Sequence, residues 1–125
     1  MKQYGFPKSE HLTVQKEIAD VFENGASVVI YPVRALWCKS NEKASVKVLI
    51  AAPKKLFNKA VERNYCKRLL REAYRLNKQM LIKQISDKNH GINIAFSIFD
   101  SKKQNFNEIF ESVLQILNKI IVVLQ

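Results

Sequence analysis

Apolar positions recur along this chain with two distinct periods. Val14, Ile18, Val21 and Phe22 fall at helical spacing, which predicts a short helix over about residues 14–24, with Thr13 as its N-cap and Gly25 at its stop. From Val28 to Cys38 the chain is β-branched and aromatic, and Pro32 marks an edge position or an irregularity within that stretch. Lys39–Glu42 reads as a turn. Ala44 to Ala52 then alternates, with Val46, Val48, Ile50 and Ala52 on one face, and these two strands are expected to form a hairpin. Pro53 ends the second strand, and helical periodicity runs from about Lys59 to Ser86. After a loop over Asp87–Gly91, a strand to Phe99 turns Ile92, Ile94, Phe96 and Ile98 the same way. Asp100 to Lys103 reads as a turn into a last helix, whose broad stripe is Phe106, Ile109, Phe110, Val113, Leu114, Leu117, Ile120 and Ile121. Asn105 with Glu108 resembles a capping box at its start.

The order is therefore α-β-β-α-β-α, and one sheet with helices packed on it buries these faces. The middle helix joins strand 46–52 to strand 92–99 as a crossover, so that pair is free to run parallel. With 125 residues, 47% of them hydrophobic, and no repeat or linker, the chain is expected to form one domain over 1–125. Three glycines and three prolines exclude collagen-like and low-complexity compositions. The opening residues lack the apolar core of a secretory signal. Even a purely apolar run as long as any in the chain, Ile120–Leu124, is far shorter than the ~20 residues a membrane span needs. Cys38 and Cys66 have no Cys-x-x-C spacing, and His11 and His90 are equally isolated, so reduced thiols in a cytoplasmic protein are expected rather than a disulfide or a zinc site.

Charge changes the picture more than composition does. Lys and Arg number 21 against 11 Asp and Glu, a net +10, and such an excess self-repels unless it serves a polyanionic partner. Between Lys54 and Gln79 stand Lys54, Lys55, Lys59, Arg63, Lys67, Arg68, Arg71, Arg75 and Lys78, opposed only by Glu62 and Glu72, so +7 of the +10 lies there. Lys59, Arg63, Lys67, Arg71 and Arg75 recur every four residues, each about 40° round the helix from the last. Val61, Tyr65, Cys66, Leu69, Ala73, Leu76 and Met80 occupy the opposite arc and are expected to pack. A merely solvated face predicts mixed signs with acid–base pairs four apart, whereas here like charges sit four apart. A membrane-surface helix needs a spare apolar face, and this one is needed by the sheet. Evenly spaced Arg and Lys on a rigid helix suit nucleic-acid phosphates.

The stretch PKKLFNKAVERNYCKRLLREAYRLNKQ closely resembles the signature helix of the bacterial ribonuclease P protein component. In that family a Lys-Lys pair and a short spacer precede Arg-Asn-Arg-x-Lys-Arg-x-x-Arg; Lys54-Lys55, Arg63-Asn64, Lys67-Arg68 and Arg71 match it without a gap. Tyr65 replaces the second Arg of Arg-Asn-Arg. His11-Leu12 through Gly25 resembles the family's first helix, and Lys47 to Pro53 the strand that leads into the Lys-Lys pair.

This resemblance implies an α/β (α+β) two-layer sandwich, with a mixed sheet of about four strands, three helices and a left-handed β-α-β crossover through the basic helix. It implies the protein subunit of a ribonucleoprotein endonuclease that matures the 5′ end of precursor tRNA. Catalysis would rest in the RNA subunit, with Mg²⁺ held by RNA and no protein-bound cofactor. The implied partners are the catalytic RNA and precursor tRNA, with no membrane and no obligate protein partner. Lys54, Lys55, Lys59, Arg63, Asn64, Lys67, Arg68, Arg71 and Arg75 would face the catalytic RNA. A cleft between the first helix and the sheet would take the single-stranded 5′ leader. Family aromatics there map to Ile18, Phe22 and Leu36, of which only Phe22 keeps its ring, and Arg34 shares the strand face of Leu36. Ordinary core packing is the other reading of Ile18 and Leu36. The residues themselves agree with a non-catalytic protein, for the acids are few and scattered and no nucleophile motif is present. A small basic ribosomal or RNA-chaperone protein with no enzyme attached has the same composition. A helix-turn-helix DNA regulator needs two adjoining short helices, and the basic helix is flanked by strands.

Overall fold

In a computed structural model of the chain, which describes residues 8–100 and 105–125, the first element is a 3₁₀ turn over Lys8–Glu10. Helix α1 (Gln15–Asn24) follows, capped by Val14 instead of Thr13 and closed by the Gly25 N–H donating to Val21 O. The apolar stretch expected as one strand from 28 to 38 is two. Strand β1 (Ala26–Ile30) and strand β2 (Val33–Ser40) pair antiparallel around Tyr31–Pro32. Proline has no N–H to give a ladder, and here it sits in the turn between strands.

Strand β3 (Val46–Ala51) does not form the expected hairpin with β2. The sheet order is β1-β2-β4-β3, so β4 (Gly91–Ile98) lies between them. β4 is antiparallel to β2 and parallel to β3, as the crossover reading anticipated for the second pair. The turn after β2 instead closes over the start of β4. A Cβ on Gly91 would stand 2.4 Å from Glu42 O and 2.5 Å from Ser45 O, so only glycine admits that close approach.

Helical periodicity from 59 to 86 becomes two helices, α2 (Ala60–Asn77) and α3 (Gln79–Ile85), interrupted at Lys78. Two features accompany the break. The Asn77 side-chain amide donates to Ala73 O, competing for the carbonyl the backbone ladder uses. Lys78, only 2% exposed, carries its ammonium to Glu10 at 2.7 Å. That pair ties the 3₁₀ turn to the helix break, and just beyond it the Leu12 N–H donates to Val48 O along the outer edge of β3. The edge strand is thereby partly covered.

Helix α4 (Phe106–Leu124) starts as the Asn105–Glu108 spacing predicts. Asn105 Oδ1 accepts from the Glu108 N–H, while the Asn105 amide donates to the Glu108 carboxylate. The turn expected over 100–103 lies, but for Asp100, outside the described residues. Inward positions of the sheet (Ala35, Trp37, Val48, Ile94, Phe96, Ile98) pack against α2, α3 and α4 in the main core. On the opposite face α1 makes a small second core, where Leu12, Val21 and Ala95 are buried with Ile18, Leu36, Cys38 and Leu49 beside them. Among the described residues no helix is long and apolar enough to cross a membrane.

Candidate nucleic-acid interface

The packed face of α2 is rotated from the expected arc. Cys66, Leu70, Ala73, Tyr74 and Asn77 are buried, one stripe at helical spacing, whereas Val61 (79% exposed) and Leu76 (38%) stand in solvent. The helix packs against both the sheet and α4, and it turns Leu70 and Tyr74 into the space between them. With 100° per residue, Asn64, Lys67, Arg68, Arg71 and Arg75 then lie within about 100° of arc, from the flank of the stripe to the outward side. Asn64, Arg68 and Arg71 are exposed; Lys67 and Arg75 are half-buried. Tyr65 is half-buried too, outside that cationic arc.

Two of the expected basic residues are differently employed. Arg63 Nη1 donates to Phe57 O at 2.7 Å and to Asn58 O at 3.1 Å, so this guanidinium braces the turn that leads into α2. Phe57 is buried beneath that turn, and its N–H and that of Leu56 donate to Pro53 O. Lys54, Lys55 and Lys59 project from this braced segment, all exposed. Arg75 pairs with Glu72 three residues back. The hydrogen bond from Arg75 holds the Glu72 carboxyl below its ordinary range, and the same bond raises Arg75. The unneutralised part of the ridge is therefore Lys67, Arg68 and Arg71.

The four residues expected to line the cleft occupy the other face of the sheet. Ile18 and Leu36 meet in the small core beneath α1. Phe22 is 52% exposed on α1, and Arg34 is exposed two residues before Leu36 on the same face of β2. Charge divides this face into two ends. Towards the 39–42 turn an open groove of about 930 Å³ is lined by Glu17, Asp20, Glu23 and Glu42, with Lys16 and Lys39. At the opposite end a smaller hollow of about 300 Å³ is lined by Ser27, Val29, Arg34 and Phe99. Neither division is visible in sequence, since it depends on which residues the strand register sets side by side.

Among the described residues no three His, Cys, Asp or Glu side chains gather into a set that fits a metal ion. Cys38 and Cys66 lie on opposite faces of the sheet, in the small and the main core respectively. Burial, the nearby Asp20 charge and the hydrogen bond from its Sγ to Asp20 at 3.6 Å push the Cys38 thiol up to about 11; burial raises Cys66 as well. Both pKa values lie above neutrality, so both groups stay protonated and poorly nucleophilic there. Alkylation of the native protein at pH 8 is expected to lag far behind that of a free thiol, and unfolding should release two equivalents. Rapid native labelling of Cys38, or an intramolecular disulfide, would contradict this geometry.

A braced lysine turn, a helix with adjacent cations on its outward side and a half-open sheet face define a small basic α/β domain shaped to lie along a polyanion. The profile of the family described as Ribonuclease P matches residues 6–121. A ribonuclease P protein component of Porphyromonas gingivalis is 34% identical over 119 residues, covering 94% of this chain and 87% of that relative. One from Nitrosococcus oceani is 35% identical over 81 residues, 65% of this chain and 67% of the relative. The chain belongs to the ribonuclease P protein family. Its fold is also that of solved members: the RNase P protein of Staphylococcus aureus superposes with a TM-score of 0.72 at 22% identity, covering 94% of this chain and all of that one. The Thermotoga maritima protein gives 0.69 at 24% identity, over 88% and 96% of the two chains.

Proposed function

We propose that this chain binds the catalytic RNA of ribonuclease P through α2 and holds the single-stranded 5′ leader of precursor tRNA against the α1 face of the sheet. It thereby promotes cleavage at the mature 5′ end, in the cytoplasm. The observation that carries this reading is the outward set Asn64, Lys67, Arg68 and Arg71, on a helix whose other side is locked into the core. Arginine forks two phosphate oxygens at once, and fixed spacing removes the entropy of finding them. Bond cleavage belongs to the RNA subunit and to Mg²⁺ held by RNA. The protein contributes binding, orientation and charge neutralisation.

The two surfaces are separable by mutation. Phe22→Ala removes a half-exposed ring and no charge, so it is expected to leave the melting temperature nearly unchanged. Stacking of a leader base on that ring is worth about 1–3 kcal/mol. Titration of the assembled holoenzyme should show that loss for leader-bearing precursor and none for mature tRNA. An early melt, or equal weakening of both ligands, would remove Phe22 from the leader site and leave the α2 surface standing.

A further inference from the structure

The end of the sheet opposite the acidic groove carries a feature that neither the ridge nor the α1 cleft uses. Tyr31 and Phe99 are 51% and 40% exposed, and their rings meet edge to face with centroids 5.8 Å apart and planes at 82°. Ring surface kept open in this way is usually held by a rigid frame, and three bonds supply one. Tyr31 O accepts from the buried Ser112 hydroxyl on α4 at 2.8 Å. The Tyr31 hydroxyl donates to the Asp100 carboxylate. The Phe99 N–H donates to Pro32 O at 3.2 Å. Beside the pair lies the hollow of about 300 Å³ lined by Ser27, Val29, Arg34 and Phe99.

Strand register extends this corner across the sheet. Val29 pairs with Arg34, Arg34 with Ser97, and Ser97 with Ala51, one row on the outer face. Four strands at about 4.8 Å spacing make it ~14 Å long. Beyond Ala51 the chain passes Pro53 to the exposed Lys54 and Lys55. The row thus runs from an aromatic pair, past a guanidinium, to the lysine turn that opens the α2 surface. The parallel row through Cys38, Asn93 and Lys47 ends instead at the groove of Glu17, Asp20, Glu23 and Glu42, which repels phosphate.

Stacking rings beside a cation are the equipment of single-strand binding. We infer that Tyr31 and Phe99, with Arg34 shared at the border of the α1 cleft, form a second single-stranded-RNA subsite, in which a nucleobase of the leader beyond the cleft stacks on the ring pair while Arg34 holds its phosphate. This rests on the leader reading above and adds a place to it. The acidic end sends the strand along the Arg34 row, and the lysine turn continues the positive charge at the row's other end.

The test uses holoenzyme assembled from this chain and a bacterial ribonuclease P RNA, with precursor tRNAs whose leaders are lengthened one nucleotide at a time. Phe99→Leu keeps the apolar volume and removes the ring. The parent is expected to gain affinity in a step as the leader reaches the subsite, and Phe99→Leu to lose roughly 5- to 150-fold at that step only. Phe22→Ala should act on shorter leaders as well. In Phe99→Trp the added indole should be quenched by leader-bearing precursor and not by mature tRNA. If Phe99→Leu tracks the parent at every length while Phe22→Ala weakens leader binding, the subsite is refuted and the cleft stands. If neither variant changes leader-dependent binding, both readings fall. Absence of quenching in Phe99→Trp holoenzyme that binds precursor normally also refutes the subsite.

Discussion

Replacing Lys67, Arg68 and Arg71 together by alanine is expected to lower affinity for the catalytic RNA by roughly three orders of magnitude, taking about 1.5 kcal/mol for each charged hydrogen bond. The salt dependence should change with it. Each phosphate contact releases counterions, so the slope of log affinity against log salt is expected to become shallower by about three units. Stability should hardly move. All three side chains lie outside the buried stripe of α2, with Arg68 and Arg71 exposed and Lys67 half-buried at its flank, and substitutions away from the core stay within about 0.5 kcal/mol. Lys67 and Arg71 also sit four residues apart, so removing them relieves like-charge repulsion along the helix. A triple variant that binds RNA with the parent's affinity and salt slope would show that the RNA lies elsewhere.

The largest stability effect is expected from Glu10→Gln, far from the ridge. The ion pair it breaks is asymmetric, with side-chain exposure of 3% for Lys78 and 24% for Glu10. Neutralising the carboxylate removes the anion that lies 2.7 Å from a buried ammonium, and breaking a buried pair in this way costs about 3–5 kcal/mol. For a chain of this size that corresponds to a fall in Tm of roughly 10–20 °C. Lys78→Met removes the buried charge itself and leaves a carboxylate with access to water, so its cost should be much smaller or absent. Thermal melts of the two variants decide the matter. Equal losses would mean that Lys78 is not paid for by Glu10 in the way its burial indicates.

That ion pair also illustrates what the amino-acid pattern carries and what it does not. Alternation at Val46, Val48 and Ile50 and at Ile92, Ile94 and Phe96 correctly sorted inward from outward positions, because the period of a strand is a local property. Pairing partners are not local. The hairpin expected between 28–38 and 44–52 failed because β4, drawn from forty residues further on, enters between β2 and β3. The ion pair at the Lys78 interruption reaches Glu10, 68 residues away, and no helical periodicity announces it. The basic residues of α2 were legible as a set because like charges at four-residue spacing are unusual on a solvated face. Their division of labour was not: Arg63 bracing the lysine turn and Arg75 tied to Glu72 emerge only from distances. Pro32 was readable as an irregularity, yet the aromatic corner it helps build joins Tyr31 to Phe99 across the strand register.

In the function proposed above, this chain assists a catalytic RNA and cuts nothing itself. Cleavage of precursor tRNA at limiting Mg²⁺ tests it, comparing bacterial ribonuclease P RNA alone, this protein alone after rigorous removal of RNA, and the two combined. Weak cleavage by the RNA, none by the protein, and efficient cutting at the mature 5′ end by the combination are expected. Site-specific cleavage by the RNA-free protein, or no gain on adding it to the RNA, would contradict it.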